Sequence, residues 1–263
     1  MRCKICDQPS EHIFNGRILK KYDVGYWNCR SCGFMQTDEP YWLDEAYSSA
    51  ISDLDLGPVN RALTGSAFVE SVILTGFNPN AKFLDWGGGY GVFTRLMRDY
   101  GYDFYWHDCY CNNLFAKQFQ FDKDASYELI TAFEVFEHLV NPIGEIADML
   151  KYSSNLLFTT LIPSRPVTGP NDWWYLSLEH GQHVSIYSIQ SLNVIAERFG
   201  LHLSTDGTGT HLLSHRPYSN VLFKTVTRRR RAAATVLRLI ARHKLRARSL
   251  LSEDFRAVTG LEL

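Results

Sequence analysis

The sequence predicts an α/β fold built on a doubly wound, mostly parallel sheet. From about residue 59 onward, short apolar segments alternate with segments of helical periodicity, as in chains that form parallel sheets. The glycine-rich stretch FLDWGGGYG, residues 83–91, follows the first of these strands, at the edge where parallel sheets bind ligands. Two CxxC pairs near the N-terminus and a basic C-terminal segment add a small ribbon and a helical tail.

The composition of the 263-residue chain fits a globular protein with a core, since 45% of the residues are apolar and 21% are charged. The N-terminal stretch MRCKICDQPSEH is polar where a signal peptide would be apolar. No apolar run approaches the roughly 18 residues that a membrane-spanning helix needs. We therefore expect a cytoplasmic protein.

The net charge of −1 conceals an uneven distribution. Residues 1–215 contain 15 basic and 25 acidic residues, which gives this part a net charge of −10. Residues 216–263 contain 12 basic and 3 acidic residues, which gives a net charge of +9, and the two parts together give −1. The basic charge belongs to the tail, and the body is acidic. An acidic body disfavours nucleic acid as a partner, so we expect none.

These patterns divide the chain into four segments. We expect a zinc-ribbon-like module over residues 1–40, a linker over 41–58, the α/β domain over 59–223 and a basic helical tail over 224–263. The tail has no acidic residue from 224 to 251 and carries an irregular apolar stripe. It suits a helix packed on the acidic body, or contact with an anionic membrane surface or an anionic substrate.

The N-terminal cysteines form two CxxC pairs, Cys3 with Cys6 and Cys29 with Cys32, separated by 22 residues. Without a secretory signal, a disulfide framework is disfavoured. A CxxC turn directs two sulfurs to the same side, so two turns supply four thiolates, the ligand set of a closed structural Zn²⁺ site. Iron is the alternative ion, because four thiolates do not distinguish the two metals. Gly33 follows the second pair and suits the left-handed residue of a tight turn.

The elements of the α/β domain follow from apolar spacing and from signals at their ends. Helices are expected at 59–77, 91–101, 141–153 and 188–200, and strands at 81–86, 102–108, 127–135, 155–163 and within 201–215. Gly101 and Gly200 are expected to end two of the helices, and Ser188 is expected to begin the last.

The glycine-rich stretch excludes two phosphate-binding loops. A P-loop requires a lysine after its last glycine, and no lysine is present here. The dinucleotide motif GxGxxG requires a third glycine that would fall at Val92 or Thr94, depending on the starting glycine. What remains is an acidic residue at a strand end followed by alternating glycines, namely Asp85, Gly87, Gly89 and Gly91.

This pattern resembles the first motif of class I S-adenosylmethionine-dependent methyltransferases. The resemblance implies a Rossmann-like domain with seven strands. It also implies that Asp85 lies close to the methionine end of the cofactor and that the glycines let the backbone pass beside it. Asp108 ends the second strand, 23 residues beyond Asp85, and is expected to accept hydrogen bonds from the ribose hydroxyls.

A further segment, TAFEVFEHLVNP, is similar to the E-x-x-E-H stretch after the fourth strand of these enzymes. The resemblance implies that Glu134 binds the cofactor and that Glu137 and His138 lie at the mouth of its cleft. For Glu134 and Glu137, a solvated acid in the first turn of a helix is the alternative interpretation. The ribbon is similar to the zinc-bearing N-terminus of many bacterial methyltransferases of glycan and secondary-metabolite pathways.

The acceptor is expected to contact the long loop after the strand at 155–163, which reads PSRPVTGPNDWWYLSLEHGQHVSIYS. Methyl transfer requires an enzyme that aligns the acceptor and removes its proton, and histidine suits a sugar hydroxyl. We expect His183 to be the base, with His180 and then His138 as alternatives; any one of them could instead order the loop. The WWY cluster can pack or stack on a sugar ring.

Together these observations predict an enzyme that transfers a methyl group from S-adenosylmethionine. The expected reaction is O-methylation of a nucleotide- or lipid-linked sugar or another small molecule. C- or N-methylation of a small metabolite is the alternative reaction. The alternative class is a methyltransferase-fold binding module without activity, and the intact Asp85, glycine series and Asp108 count against it.

Overall fold

The computed structural model describes residues 1–48, 57–228 and 249–263, together with residues 232, 235–237 and 239. Part of the basic tail predicted over 224–263, including most of its arginine run, lies outside these residues. The centre of the linker predicted over 41–58 lies outside them as well. Within the described ranges, no helix combines the length and the apolar character needed to cross a membrane.

The described residues form strands and helices in the alternating order that the sequence predicts. The strands are β1 (Ser10–Ile18), β2 (Tyr22–Cys29), β3 (Met35–Thr37), β4 (Lys82–Trp86), β5 (Asp103–His107), β6 (Leu129–Phe133), β7 (Asn155–Thr159), β8 (Ser185–Ile186), β9 (His202–Thr205) and β10 (Thr210–Ser214). The α-helices are α1 (Leu43–Ala46), α2 (Pro58–Gly76), α3 (Val92–Asp99), α4 (Pro142–Leu150), α5 (Ile189–Phe199), α6 (Asn220–Arg228) and α7 (Leu251–Thr259). Short 3₁₀ helices cover Phe136–His138 and Trp174–Leu176.

The larger sheet has the strand order β5-β4-β6-β7-β10-β9. Strand β4 runs parallel to both β5 and β6, whereas β9 and β10 form an antiparallel pair at one edge. This doubly wound, mostly parallel arrangement confirms the predicted α/β fold class.

In the described residues this sheet has six strands, where the resemblance implies seven. The 21 residues from 108 to 128 connect β5 to β6 and form no strand of their own. Gln120 makes an isolated parallel bridge with Trp106, whose amide donates to the Phe119 carbonyl at 2.8 Å. The segment therefore returns parallel to β5 but pairs with it at this one residue, which adds a single bridge in place of a seventh strand.

The ends of α5 follow their sequence signals. Ser188 caps the helix: its hydroxyl accepts a hydrogen bond from the Ser191 amide at 3.0 Å, and the Ser191 hydroxyl accepts one from the Ser188 amide at 3.0 Å. Gly200 follows the last turn with a φ of 65°, and Gly101 lies just beyond α3 with a φ of 92°. These residues confirm the predicted cap and the two predicted glycine ends.

The chain divides into two compact units, of which the first contains Met1–Ser52, Phe133–Lys151 and Leu157–Pro217. Within it, β1, β2, β3 and β8 form an antiparallel sheet in that order. Its apolar core combines the sheet with the chain just before β8; its members include Phe14, Ile18, Val24, Tyr26, Met35, Trp42, Leu176, Val184 and Ile186. The cysteine ribbon and the predicted acceptor loop therefore share one core.

The second unit contains Asp53–Ala132, Tyr152–Leu156 and Tyr218–Leu263. It carries β4, β5, α2, α3, α6 and α7. The Tyr218 hydroxyl, just before α6, forms a hydrogen bond with the hydroxyl of Thr75 on α2. The four segment boundaries expected from the sequence stay a prediction.

A buried ion pair holds α7 in the second unit. The Asp254 carboxylate accepts hydrogen bonds from Arg98 on α3, and the two residues are 6% and 5% exposed. The Arg98 guanidinium also lies 3.5 Å from the centroid of the Phe119 ring and donates to Asp103. An acidic residue therefore anchors the end of the segment predicted as a basic tail.

Candidate functional site

The glycine-rich loop of the second unit follows Asp85, near the end of β4. The Asp85 carboxylate is buried and accepts hydrogen bonds from the hydroxyl of Thr94 at 3.0 Å and from that of Thr131 at 3.1 Å. Burial raises the pKa of Asp85 to about 7, and the two hydroxyl hydrogen bonds offset part of this effect. Asp85 thus ties β4 to α3 and β6 where the loop begins.

Backbone hydrogen bonds hold the loop against the end of β5. The amides of Gly87 and Gly88 donate to the His107 carbonyl at 2.8 and 3.0 Å. Gly87, Gly89 and Gly91 have φ values of 74°, 54° and 84°, a region in which a side chain is strained. The backbone of the turn itself therefore requires the alternating glycines.

Gly88 and Gly89 have opposite surroundings. A Cβ atom on Gly89 would meet no described atom within 4 Å, whereas one on Gly88 would lie 2.5 Å from Trp106 Cδ1 and 2.8 Å from Asp85 Oδ2. The Trp106 indole donates to the Gly89 carbonyl at 2.9 Å. The loop thus has closed packing at Gly88 and an open backbone surface at Gly89.

The carboxylate of Asp108 is held next to this open surface. Its Oδ2 accepts a hydrogen bond from the Gly89 amide at 2.9 Å, and its Oδ1 accepts from the amides of Tyr110 and Cys111 at 2.7 and 2.8 Å. A carboxylate has about four lone-pair positions, so acceptor capacity remains for a hydroxyl of a ligand. The role of Asp108 in ribose binding stays a prediction.

In the first unit, the four sulfurs of the two CxxC pairs lie within 4.8 Å of one another. Cys3 and Cys32 are 3.5 Å apart, and Cys6 and Cys29 are 3.4 Å apart, measured between sulfurs. A Zn–S bond of about 2.3 Å places the sulfurs of a tetrahedral site about 3.8 Å apart, so these thiolates fit a structural Zn²⁺. Gly33 has a φ of 69°, which confirms the predicted left-handed turn.

Glu134, predicted to bind the cofactor, directly follows β6. Its φ of 53° is uncommon for a residue with a side chain. Its amide donates to the Thr159 hydroxyl at 2.9 Å, and that hydroxyl donates to the Glu134 carboxylate at 2.7 Å. Thr159 therefore holds Glu134 in a strained backbone conformation of the kind that clusters at functional sites.

Glu137 lies inside the first unit and is 0% exposed. Its Oε1 accepts a hydrogen bond from the Tyr175 hydroxyl at 2.6 Å, and its Oε2 makes no hydrogen bond of normal geometry among the described residues. Burial, and then the charge of Glu134, raise the pKa of Glu137 to about 8. The Thr160 hydroxyl lies near the carboxyl and offsets part of this rise in pKa. The alternative interpretation of Glu137 as a solvated acid is therefore wrong.

His138 and His183 lie next to Glu137, with their ring centroids 5.0 Å apart. His183 Nδ1 is 2.6 Å from the carbonyl oxygen of Tyr175, which can only accept, so Nδ1 carries the proton. His138 Nδ1 is 2.9 Å from the Tyr47 hydroxyl. Burial lowers the pKa of His183 to about 4 and that of His138 well below its usual value, which favours neutral rings.

Two of the three histidines predicted as bases thus lie together, and the third is near them. The amide of His180 donates to the Ser177 carbonyl at 3.0 Å. The charge of His180 contributes to the lowered pKa of both His138 and His183. Sequence reasoning assigned Tyr175 only a packing or stacking role within the WWY cluster and did not indicate that Tyr175 and Tyr47 orient these rings. Tyr47 is 91 residues from His138, and nothing local in the sequence marks such a contact.

A sequence profile described as a methyltransferase domain matches residues 66–205, more than half of the chain. The chain belongs to this methyltransferase family. This family confirms the resemblance found in the glycine-rich loop, and the protein is an enzyme of the methyltransferase class. A comparison with curated protein sequences gives no match.

Solved structures similar to this methyltransferase include the plantazolicin methyltransferase BpumL in complex with a monoazolic desmethylPZN analog and SAH (12% identity, 66% of this chain, 93% of that chain, TM-score 0.43). Another is the Burkholderia thailandensis 1,6-didemethyltoxoflavin-N1-methyltransferase (11% identity, 72% of this chain, 93% of that chain, TM-score 0.48). A third is the magnesium protoporphyrin IX methyltransferase of Synechocystis PCC 6803 (13% identity, 65% of this chain, 90% of that chain, TM-score 0.41).

The loop that carries His183 in this methyltransferase is fixed by the chain that follows the ribbon. The Trp42 indole donates to the Gly181 carbonyl at 2.7 Å, and the Gln182 side-chain amide donates to the Ala46 carbonyl at 2.8 Å. Both bonds are buried. The predicted acceptor loop is therefore an ordered part of the first unit.

The three aromatic residues of the WWY cluster divide into two roles. Tyr175 is buried and Trp173 packs against it, with ring centroids 5.0 Å apart. Trp174 is 77% exposed. Trp174 also meets Tyr175 edge-on, with ring centroids 5.5 Å apart, but most of its indole remains exposed.

Proposed function

We propose that this methyltransferase transfers a methyl group from S-adenosylmethionine to a hydroxyl oxygen of a sugar or another small molecule. S-Adenosylmethionine, when bound, supplies a methyl group whose bond to sulfur breaks, with the electron pair left on sulfur, as the bond to oxygen forms. The glycine-rich loop suits the donor, because Gly89 leaves its backbone open and Asp108 retains acceptor capacity for hydroxyls.

The tautomer of His183 is the observation that favours an oxygen atom as the methyl acceptor. Since Nδ1 donates to the Tyr175 carbonyl, Nε2 carries a lone pair. That lone pair can accept the proton of a hydroxyl group as its oxygen attacks the methyl carbon. His183 then passes the proton to water. His138, with its ring beside that of His183, is the second candidate for this role.

A sugar is the favoured acceptor because of Trp174. Its indole is 77% exposed and lies next to Tyr175, whose carbonyl orients His183. An exposed indole face suits the apolar face of a sugar ring, and the adjoining histidine suits its hydroxyls. Nucleotide-linked and lipid-linked sugars are the first acceptors to test. A cytoplasmic location belongs to the same proposal. For the basic tail, packing on the acidic body and contact with an anionic surface both remain proposals.

Calorimetry with S-adenosylmethionine tests the donor. The wild-type protein is expected to bind it, and Asp108→Ala is expected to weaken binding at least about tenfold through lost hydrogen bonds. Asp148→Ala, at an exposed carboxylate on α4, is the matched control and is expected to bind as wild type. Absence of binding in the wild-type protein would overturn the proposed function.

Transfer of labelled methyl to nucleotide sugars, lipid-linked sugars and simple phenols tests the acceptor. The label is expected on an oxygen atom, identified by mass spectrometry and NMR of the product. Label on carbon or nitrogen would contradict the proposed acceptor atom and would leave the donor assignment standing.

A further inference from the structure

Three potential metal ligands converge in the first unit, apart from the cysteines. One carboxylate oxygen of Glu137 and one ring nitrogen each of His138 and His183 lie within 4.8 Å of one another. Two imidazoles and a carboxylate are a donor set that divalent first-row transition metals accept. These residues are not spread over an exposed surface, since Glu137 is 0% exposed.

The unpartnered oxygen of Glu137 points to a ligand independently of this spacing. Oε2 is buried and makes no hydrogen bond of normal geometry among the described residues. The buried hydroxyl of Thr160, which has no such bond either, lies near this carboxyl and lowers its pKa against the larger effect of burial, so it is the protein group that would compete with a ligand for Oε2. A buried polar atom without a partner costs free energy, and in native proteins such atoms are uncommon enough to need an explanation. In the part of the chain that the structure describes, no Lys or Arg forms an ion pair with Glu137, so a cation bound from solution would satisfy it.

Each of the three side chains is also held by a group outside this set of three residues. Tyr175 donates its hydroxyl proton to Glu137 Oε1 at 2.6 Å, and its carbonyl accepts from His183 Nδ1 at 2.6 Å. The Tyr47 hydroxyl bonds to His138 Nδ1 at 2.9 Å. These contacts leave Nε2 of both rings and Oε2 of the carboxylate available. Orienting contacts of this kind surround metal ligands in proteins.

We propose that Glu137, His138 and His183 bind a divalent first-row transition metal ion, through Glu137 Oε2 and the two Nε2 atoms, with positions left open for an acceptor oxygen. The role of the ion rests on the proposed function: a hydroxyl oxygen bound to the cation releases its proton to water more readily, and the oxygen attacks the methyl carbon as the alkoxide. His183 is then a ligand, and the cation replaces it as the activating group.

Mn²⁺ binding to the full chain tests the site, because Mn²⁺ prefers oxygen and nitrogen ligands and competes poorly for the four thiolates. The six-line electron paramagnetic resonance signal of free Mn²⁺ is recorded while the zinc-loaded protein is titrated. One Mn²⁺ per chain is expected to bind in addition to the ribbon zinc. A parallel calorimetric titration with Zn²⁺ is expected to show one further equivalent.

The variants Glu137→Gln, His138→Ala and His183→Ala are each expected to weaken the added Mn²⁺ and Zn²⁺ site at least about tenfold. Glu197→Gln and His202→Gln change exposed residues of the same unit and are expected to bind as wild type. Circular dichroism and retained ribbon zinc identify variants that have lost the fold, and Glu137→Gln keeps the volume of the buried side chain. If neither ion binds beyond the ribbon equivalent, or if all three variants bind as wild type, the metal site does not exist.

The metal site and the proposed function fail in different ways. Metal binding is measured without donor or acceptor, so methyl transfer by a protein that binds no added ion would overturn the metal site alone. An intact metal site in a protein that fails to bind S-adenosylmethionine would overturn the proposed function alone. If both hold, chelating the added ion is expected to lower methyl transfer at least tenfold, and Mn²⁺ is expected to restore it.

Discussion

The carboxylate of Asp254 on α7 accepts hydrogen bonds from two guanidinium nitrogens of Arg98 on α3, at 2.7 and 2.9 Å. Both side chains are buried, and Asp254→Ala would leave the guanidinium with Asp103 and the Phe104 carbonyl as partners. We expect this change to lower the free energy of unfolding by about 3 kcal/mol, measured by urea denaturation. Glu253→Ala, at the exposed neighbour, is expected to change it by less than about 0.5 kcal/mol. Equal effects of the two substitutions would contradict the prediction.

Gly88 and Gly89 are expected to respond differently to alanine. Gly88→Ala forces a methyl group against Trp106 and Asp85, so we expect a loss of unfolding free energy of about 1–3 kcal/mol from overpacking. Gly89→Ala places a methyl group in open space and strains a φ of 54°, at a cost of about 1 kcal/mol.

Thermal unfolding and calorimetry with S-adenosylmethionine separate the two effects. Gly89→Ala is expected to lose more donor affinity than stability, because its methyl group occupies the open surface. A Gly89→Ala protein that binds the donor as wild type would remove this surface from the donor site.

The buried carboxyl of Asp85 makes stability depend on pH. Its pKa is about 7 in the folded protein against an ordinary value of 3.8, so between these values the folded state binds more protons than the unfolded state. The contribution of Asp85 to stability is therefore full below pH 4 and falls as the pH rises toward 7. From pH 5 to pH 8 the loss is roughly 2–3 kcal/mol.

Asp85→Asn removes this titration and is expected to flatten the pH dependence of unfolding over that range by the same amount. Urea denaturation at pH 5 and pH 8 measures it, with Asp148→Asn as an exposed control that should keep the wild-type dependence. An unchanged pH dependence in Asp85→Asn would show that the carboxyl titrates near its ordinary pKa.

His183 is expected to be essential for turnover, either as the base or as a metal ligand. His183→Ala should lower kcat for methyl transfer at least about 100-fold, the usual size of a lost acid–base contribution, and leave the affinity for S-adenosylmethionine unchanged. His202→Gln, on β9 with an exposed side chain, is expected to turn over as wild type. Wild-type turnover by His183→Ala would remove this residue from catalysis.

Loss of the ribbon metal is expected to loosen the histidine loop. The Cys32 carbonyl accepts a hydrogen bond from Ser188 at 2.6 Å, and β3, which follows the second cysteine pair, pairs with β8. Cys6→Ser is therefore expected to lose bound zinc and to speed proteolysis within residues 163–184. Cys109→Ser changes an exposed thiol outside the ribbon and should retain both zinc and resistance. Zinc-free protein with an unchanged cleavage pattern would contradict this coupling.

Local signals predict the parts of the fold that depend on near neighbours in the chain. Ser188 and Gly200 mark the ends of α5, and the glycines after Asp85 mark a turn whose φ values only glycine adopts without strain. The same stretch identifies the family, because the turn and the donor chemistry occupy a few consecutive residues. The resemblance implies seven strands in the sheet, whereas the segment after β5 contributes only a single bridge beside that strand.

Contacts between distant segments are not predictable from such signals. Tyr47 meets His138 across 91 residues, and Arg98 meets Asp254 across 156. Both pairs depend on tertiary packing, and the apolar spacing that predicts a helix around Arg98 does not indicate which distant residue its side chain meets. The burial of Glu137 belongs to the same class, since its position before His138 is compatible with a solvated helix turn until Tyr175 is brought against it.

The pairing of β3 with β8 limits how the protein can be engineered. Gln36 lies opposite Ser185 and Met35 lies opposite Ile186, so the third strand of the cysteine ribbon borders the strand that begins two residues after His183. A truncated chain that starts beyond the ribbon would expose the edge of β8 and the apolar side chains that Met35 and Ile18 now cover. The ribbon is therefore not an exchangeable cassette: a chimera that replaces it must also replace the histidine loop.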